Sequence, residues 1–591
     1  MHLSYKIARY KDTIYKSYSI AESYREGNKV KKRIIWPIGR LTDDQAHQIH
    51  FICKTVSDPT AVITTIENII IQESKPFLEL AVASALWDEW RLWTAFAGCT
   101  TESELPTQMV AKILTMNRCV SPCSHYSIPH WVQKTALSEM LDHSLKNLNE
   151  DKIYYELDKV AQNQQKIEEH LFRVTYQRNP KSYEFVNYDL TSSYFLGMKC
   201  TLSQYGRSKD DKPHSKQVIL GLMVNDEGYP FKWDIYPGNT AEVDTLVGNV
   251  NACRNRFKLK DITMVFDRGI VSGDNLDYIA DQGLKYISAL DRDQIPHIEG
   301  IDLAVFCDLT LDNFKERLGR EQVVPYDDSL YFKDLGQING RRYILGFNPV
   351  LFEEERSCRY ERIGYFDRYL FQKNQELKEA KRSRKDEETK QNIVNELKRL
   401  KLKKYFSDPA LEPIQIKRIN KRGQSTTIQS FSITVGRKED KMVESNRLDG
   451  VCVFVSNHTQ KDGDTFLVPA QQIIKAYREK AKIEDAFKHI KSFLKVRPFY
   501  VNTADHVRAV YTICILAYAI NKDLADRREK AEGIDYLNSK NLYEPFRNCH
   551  YVTVRDEVSH RSKSKPVELT PEQKELLKNL NIKIKIPEKD V

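Results

Sequence analysis

The sequence predicts a multidomain α+β chain whose centre is a mixed α/β sheet unit and whose earlier part is helical. Three observations carry this. At 591 residues the chain is longer than one hydrophobic core organises, so several domains are expected. From residue 77 to about 175 the apolar pattern is helical, with Trp87, Trp90 and Trp93 three apart and little strand signal. At Tyr183 the period changes. YEFVNYDLTSSYF at 183–195 is rich in aromatic and β-branched residues, and ITMVFD at 262–267 is a continuous apolar run of the length of a buried parallel strand.

The elements follow in order. Runs at 17–24 and 30–37 flank Glu26-Gly27-Asn28, where glycine supplies the left-handed turn of a hairpin. The second run carries Lys29, Lys31, Lys32 and Arg33, which suits either a solvated edge strand or a DNA-backbone contact. Thr42-x-x-Gln45 reads as a capping box opening a helix. Tryptophans at spacing three are core residues before they are ligand platforms. After 183–195, the runs 217–224 and 229–236 flank Asn225-Asp226-Glu227-Gly228 as a hairpin, and 243–256 reads as a helix. Arg268-Gly269 stops the 262–267 strand, a helix begins near Ser272, and another strand lies near 284–290. Residues 371–404 are helical in pattern, with Ile393, Leu397 and Leu400 on one face and 12 Lys+Arg against 6 acids, which suits a solvated helix or a coiled hairpin, or else a DNA-facing arm. Strands are expected within 414–435 and at 450–456. The tail closes with a helix start at Thr570-Pro571-Glu572-Gln573.

Net charge is +9, from 91 Lys+Arg against 82 Asp+Glu, which points to a polyanionic partner. Eleven dispersed cysteines suit a reducing compartment. Cys119, Cys123 and His125 lie close together, but no second ligand pair follows at zinc-finger spacing, so buried or idle thiols are expected there. The N-terminus lacks a signal-peptide apolar core, and the longest apolar run, 509–520, is too short to span a bilayer. A soluble, intracellular protein is expected.

Chemistry is expected in AYREKAKIEDAFKHIKSFLKVRP, at 476–498. Wound as one helix, Ile483, Phe487, Ile490 and Leu494 form an apolar stripe, and Tyr477, Lys480, Glu484 and Lys491 a second stripe about a quarter-turn away. An ordinary amphipathic helix would look the same. The difference lies upstream, where Asp189 sits in one strand-like run and Asp267 ends another. Carboxylates from separate elements of one sheet and its covering helix suit Mg²⁺, and open α/β sheets place sites beyond the carboxyl ends of such strands.

With these residues the chain resembles the bacterial insertion-sequence transposases of the DDE type, in the branch whose glutamate helix carries Tyr-x2-Arg-x3-Glu-x6-Lys. The match reads Tyr477, Lys480, Glu484 and Lys491, followed by RPFY at 497–500. YDLTSSYF at 188–195, FDRGIVSGDN at 266–275, the segment 217–246 and the opening SYREGNKVKKRIIWPIGRLT resemble the family as well. The resemblance implies a ribonuclease-H-like catalytic core interrupted by a largely β insertion. Asp189, Asp267 and Glu484 would hold two Mg²⁺, with Mn²⁺ able to substitute, while Tyr477, Lys480 and Lys491 contact DNA. The implied reaction is metal-dependent cleavage at the element's terminal inverted repeats and joining of the 3′-hydroxyl to target DNA, by a homodimer in the bacterial cytoplasm. A nuclease that does not join, and a catalytically silent DNA-binding descendant, are the alternatives. Two departures stand out: Lys480 replaces the usual arginine and loses its bidentate fork, and all six tryptophans lie at or before Trp233, leaving none in the insertion.

The implied partition is a hairpin and helix module at 1–75 with DNA contact, and a helical end-binding or dimerisation region at 76–177. The first part of the core follows at 178–292, the insertion with a basic helical arm at 293–465, the glutamate helix at 466–525, and a C-terminal region at 526–591.

Overall fold

The computed structural model describes residues 1–10, 13–56, 58, 61–99, 103–196, 199–207, 214–306, 309–310, 312–419, 425–494, 501–535 and 541–587. Two compact units divide the chain: Met1–Trp93, Ala97–Leu157 and Ile520–Val591 form one, and Thr94–Phe96 with Asp158–Ala519 the other.

The first unit opens with an antiparallel sheet of β1 (His2–Tyr10), β2 (Thr13–Glu26) and β3 (Lys29–Gly39). Gly27 sits at φ +59° in the turn joining β2 to β3, where a side chain would be strained. Lys29, Lys31, Lys32 and Arg33 lie exposed along β3. Strand β1, which the sequence did not announce, pairs with β2 from His2↔Ala21 to Tyr10↔Thr13. The helix Asp43–Thr55 has the expected capping box: the Gln45 amide donates to Thr42 Oγ1 at 3.2 Å, and the Thr42 amide to Gln45 Oε1 at 3.0 Å. β4 (Ile69–Pro76) joins His550–Asp556 and Ser562–Pro566 in a second small sheet. In the helical block Trp87 and Trp90 are core residues, and Trp90 donates its indole N–H to Asp523 at 2.6 Å, whereas Trp93 is exposed. Cys123 Sγ accepts from Asn117 at 3.3 Å and His125 packs edge-on against Tyr154. A second capping box, at Thr570, opens the helix Pro571–Asn579.

The second unit is organised by a nine-stranded mixed sheet. Its strands are β5 (Phe185–Phe195), β6 (Lys216–Asn225), β7 (Pro230–Pro237), β8 (Thr263–Phe266), β9 (Lys285–Ala289), β10 (Val324–Asp327), β11 (Leu330–Ile338) and β12 (Arg341–Phe347). After the separate hairpin β13 (Ala410–Ile419) and β14 (Ser425–Thr434), β15 (Val451–Ser456) completes it. The order is β10-β11-β12-β15-β9-β8-β5-β6-β7. β5, β6 and β7 form an antiparallel meander, while β8 and β9 run parallel to β5. Every residue of β8 is buried, because helices or loops cover both faces: Met264 and Phe266 enter one cluster and Val265 the other. That second cluster takes Ala470, Ile473, Ile474 and Ala476 from the helix Ala470–Arg478. Residues 509–519 are buried in a core helix, as their composition suggests. No helix among the described residues is long and apolar enough to cross a membrane.

One helical expectation is resolved and one is corrected. At 371–404 the chain forms a helical hairpin, not a single helix. A 30-residue helix, Pro349–Lys378, starts at the N-cap Asn348 and ends at Glu379, and Asp386–Arg399 follows as a separate helix. Ile393 and Leu397 bury against Ile363, Phe366 and Ile433, so a small core of its own folds this segment back. The stretch from 476 is also broken: Ala470–Arg478 ends at Glu479, and Ala481–Lys488 begins after Lys480 and continues as a π-helical turn, His489–Phe493. Amides of Lys480, Lys482 and Ile483 reach back three residues rather than four, which tightens the chain at this junction without any glycine or proline. RPFY at 497–500 lies outside the described residues.

Candidate active site

The parallel pairing of β5 with β8 positions the two aspartates. Register runs from Phe185↔Thr263 to Tyr188↔Phe266, so Asp189 and Asp267 occupy the next matched step, at the carboxyl end of β8. Parallel neighbours lie roughly 4.8 Å apart, so the two residues are adjacent. Tyr188 and Phe266 both enter the cluster on one face. Alternation therefore turns Asp189 and Asp267 to the opposite face, where the helix Ala470–Arg478 packs. Asp189 is nearly buried, and its Oδ1 accepts the following Leu190 amide at 2.7 Å, which fixes its orientation.

The FDRGIVSGDN motif is a set of local locks. Asp267 caps a short turn, Arg268–Ile270, by accepting the Arg268 amide at 2.9 Å. Ser272 caps the helix Gly273–Asp281, and the Asn275 side chain donates to the carbonyls of Val243 and Ile270. At Gly269 a Cβ would press only on the carboxylate end of Glu242, a flexible side chain that can swing aside.

On the helical side, Asp267 Oδ1 accepts from Tyr477 at 3.3 Å and pairs with the Lys480 ammonium at 3.2 Å. Lys480 is almost buried and also lies 3.7 Å from Glu484 Oε1, one helical turn on. Burial alone would raise the Asp267 carboxyl, but the Lys480 ammonium, then the Arg268 amide and guanidinium, outweigh it and hold it below the ordinary range. Burial pushes the Tyr477 phenol far up, and the facing Asp267 carboxylate adds to this, so the hydroxyl remains a donor. The side chains of Ile483, Phe487, Ile490 and Leu494 are buried, as the stripe requires, and the Ala481–Lys488 helix packs on β5 and β6. Glu484 points outward, with 63% of its side chain exposed, and Lys491 lies half-buried in the π-helical turn.

Of the expected residues, then, Asp189 and Asp267 share one edge, Tyr477 and Lys480 engage Asp267 directly, and Glu484 joins through Lys480. Among the described residues no three His, Cys, Asp or Glu side chains come together as a ready metal cage. Two adjacent carboxylates with oxygen donors alone still fit Mg²⁺, which binds through one or two carboxylates, waters and substrate phosphates.

Sequence reading missed the supports of this helix. Arg342, in β12, is fully buried and donates at 2.6 Å to both Asp334 and the Val468 carbonyl, two residues before the helix Ala470–Arg478. Its guanidinium also stacks 3.7 Å over the Phe466 ring. Arg478, at the other end of that helix, bonds Asp327 and Ser329 in the β10–β11 turn. Both partners come from the long interruption between Asp267 and Glu484, and no local spacing in the sequence announces them.

With this geometry in place, residues 3–61 match the sequence model of the IS1634 family transposase N-terminal domain. No curated protein matches the chain. Among solved structures the chain is similar to a piggyBac transposase synaptic complex with hairpin DNA, at 8% identity, covering 80% of this chain and 83% of that one with a TM-score of 0.34. It is also similar to a Mos1 transposase paired-end complex with the left transposon end, at 11% identity, covering 42% of this chain and 72% of that one with a TM-score of 0.14. Superpositions this loose leave the fold to be argued from the strand order itself. The N-terminal segment, for its part, has the sequence pattern of an insertion-sequence transposase.

Proposed function

We propose that the chain is a DNA transposase that cleaves at insertion-sequence ends and joins them to target DNA, with Asp189, Asp267 and Glu484 as its metal-binding carboxylates. The observation that carries this is the matched step of Asp189 and Asp267 on neighbouring parallel strands, facing the helix pair that holds Glu484. The core is ribonuclease-H-like: a three-stranded antiparallel meander, β5 to β7, followed by β8 and β9 parallel to its first strand, in the order β9-β8-β5-β6-β7. The match at 3–61 to an insertion-sequence transposase domain supports the same function from a separate part of the chain.

Asp189 and Asp267 would hold Mg²⁺, or Mn²⁺ in its place, and Glu484 would complete the set by turning its exposed carboxylate inward. When bound, two such ions stabilise the attacking and leaving oxygens of an in-line phosphoryl displacement. The protein's own residues orient the site. Tyr477 and the Arg268 amide fix Asp267. Arg342 and Arg478 anchor the helix beside it. Lys491 and Tyr477 would contact the DNA backbone, Lys480 would join them once its ammonium leaves Asp267, and the basic β3 would offer a further phosphate contact at the terminal inverted repeat. A homodimer bridging two ends, acting in the bacterial cytoplasm, completes the proposal.

The test is cleavage of a labelled duplex carrying the terminal repeat, with Mg²⁺ or EDTA, followed by joining to a second duplex. Asp189→Asn, Asp267→Asn and Glu484→Gln are each expected to abolish cutting while the end is still bound. Cutting without joining would make the protein a nuclease, and near-wild-type cutting by any of the three variants would remove that residue from the metal set.

A further inference from the structure

We propose that Lys480 is a resident counter-cation of the acidic site, so that metal binding displaces its ammonium and thereby couples metal binding to DNA binding. The proposal rests on the metal-binding role assigned above to Asp267 and Glu484.

Asp267 Oδ1 is crowded with donors: the Arg268 amide at 2.9 Å, the Tyr477 hydroxyl at 3.3 Å and the Lys480 ammonium at 3.2 Å. The same ammonium is 3.7 Å from Glu484 Oε1. A divalent cation held by Asp267 and Glu484 would need the position that this charge fills, and two cations cannot share it without strong repulsion. The amide and the phenol can stay, since neither carries charge. Lys480 must leave.

Its chemistry permits that. A lysine is a point charge on a flexible four-carbon stem with rotatable donors, whereas an arginine here would grip a carboxylate through a rigid two-point fork. Lys480 sits at the tightened junction between two helices rather than inside either one. Its side chain is 10% exposed, so the held state hides the charge from incoming DNA. A displaced ammonium is a new phosphate contact at the site's own edge. Metal therefore strengthens DNA binding, and by linkage DNA strengthens metal binding by the same factor.

The experiment uses the full chain and reads binding rather than turnover. Mn²⁺ is titrated into wild type, Lys480→Met, Lys480→Arg, Asp267→Asn and the exposed-lysine control Lys475→Met, with free Mn²⁺ followed by electron paramagnetic resonance and folding checked by circular dichroism. Without DNA, Lys480→Met is expected to bind Mn²⁺ roughly tenfold more tightly, about 1.4 kcal/mol. Lys480→Arg is expected to bind it more weakly, and Lys475→Met to be unchanged. Ca²⁺ is expected to raise the affinity of wild type and Lys475→Met for a terminal-repeat duplex, and to raise that of Lys480→Met by a clearly smaller factor. Mn²⁺ binding by Lys480→Met no tighter than wild type, or an unchanged Ca²⁺ effect, overturns the proposal while leaving the metal site intact. Wild-type Mn²⁺ binding by Asp267→Asn would instead overturn the metal-site assignment on which it rests.

Discussion

Arg342 offers the sharpest structural prediction, because a single side chain ties β12 to the segment that leads into the glutamate-bearing helices. Its guanidinium is 1% exposed and makes two short bonds, to Asp334 Oδ2 and to the Val468 carbonyl, both at 2.6 Å. Methionine at this position keeps the stem's volume and removes the charge. A charge-assisted bond contributes about 1.5–3 kcal/mol, and a buried carbonyl left without a donor costs about 1–3 kcal/mol. Asp334 is 28% exposed and can be rehydrated, so its share falls at the low end. Together these give about 3 kcal/mol for Arg342→Met, at the lower edge of the roughly 3–5 kcal/mol for breaking a buried pair. If that loss falls on local opening of residues 458–474, amide exchange there should accelerate about a hundredfold or more. Hydrogen-exchange mass spectrometry compares this segment with the β5 peptide, which should be unchanged. Protection of 458–474 within about threefold of wild type would refute the anchoring role.

Three further outcomes follow from the same physical terms. Burial pushes the Glu79 carboxyl up to about 7 against the opposing charge of Arg547, so the folded chain holds a proton that the unfolded chain releases near 4.5. Stability from this group is therefore lost as pH rises from about 4.5 to about 7, up to about 3 kcal/mol at the full shift. Glu79→Gln should match wild type in thermal midpoint at pH 5 and exceed it at pH 8, and equal midpoints at pH 8 would count against it. His458 is shifted the other way, down to about 4, by burial and then by Lys285 and Arg342. Its contribution is lost as pH falls from about 6.5 to about 4, and His458→Gln should flatten the stability profile in that window and nowhere else. Gly269→Ala should change the thermal midpoint little, because only the flexible end of Glu242 must swing aside, and a drop of many degrees would count against this.

Much of the core was legible because its signals are local. A continuous apolar run announced β8 and a glycine turn announced the β2–β3 hairpin. Capping chemistry marked the helix starts at Thr42 and Thr570. The adjacency of Asp189 and Asp267 was legible only as convergence, since the matched step depends on parallel pairing between distant strands. What the sequence hid is non-local. Nothing in residues 324–347 says that β10, β11 and β12 extend the same sheet through β15, because that pairing is made across the intervening helices. The junction at Glu479–Lys480 contains no helix breaker, so a continuous helix was the natural expectation. Lys480 read as a phosphate contact from its place in the signature, while the fold puts its ammonium on Asp267. β1 pairs as an outer strand of a largely exposed sheet, where alternation carries little of the hydrophobic signal that marks a core strand.

Two aspartates in register and a glutamate on a facing helix form the proposed metal site, and anomalous scattering from Mn²⁺ soaked into crystals of the full chain would reveal it. A peak is expected in contact with carboxylate oxygens of both Asp189 and Asp267, about 2.1 Å away as for a small hard divalent ion, with the Lys480 ammonium moved off Asp267. A saturated crystal with no peak at this pair, or with Mn²⁺ bound elsewhere while Lys480 stays in place, would contradict it.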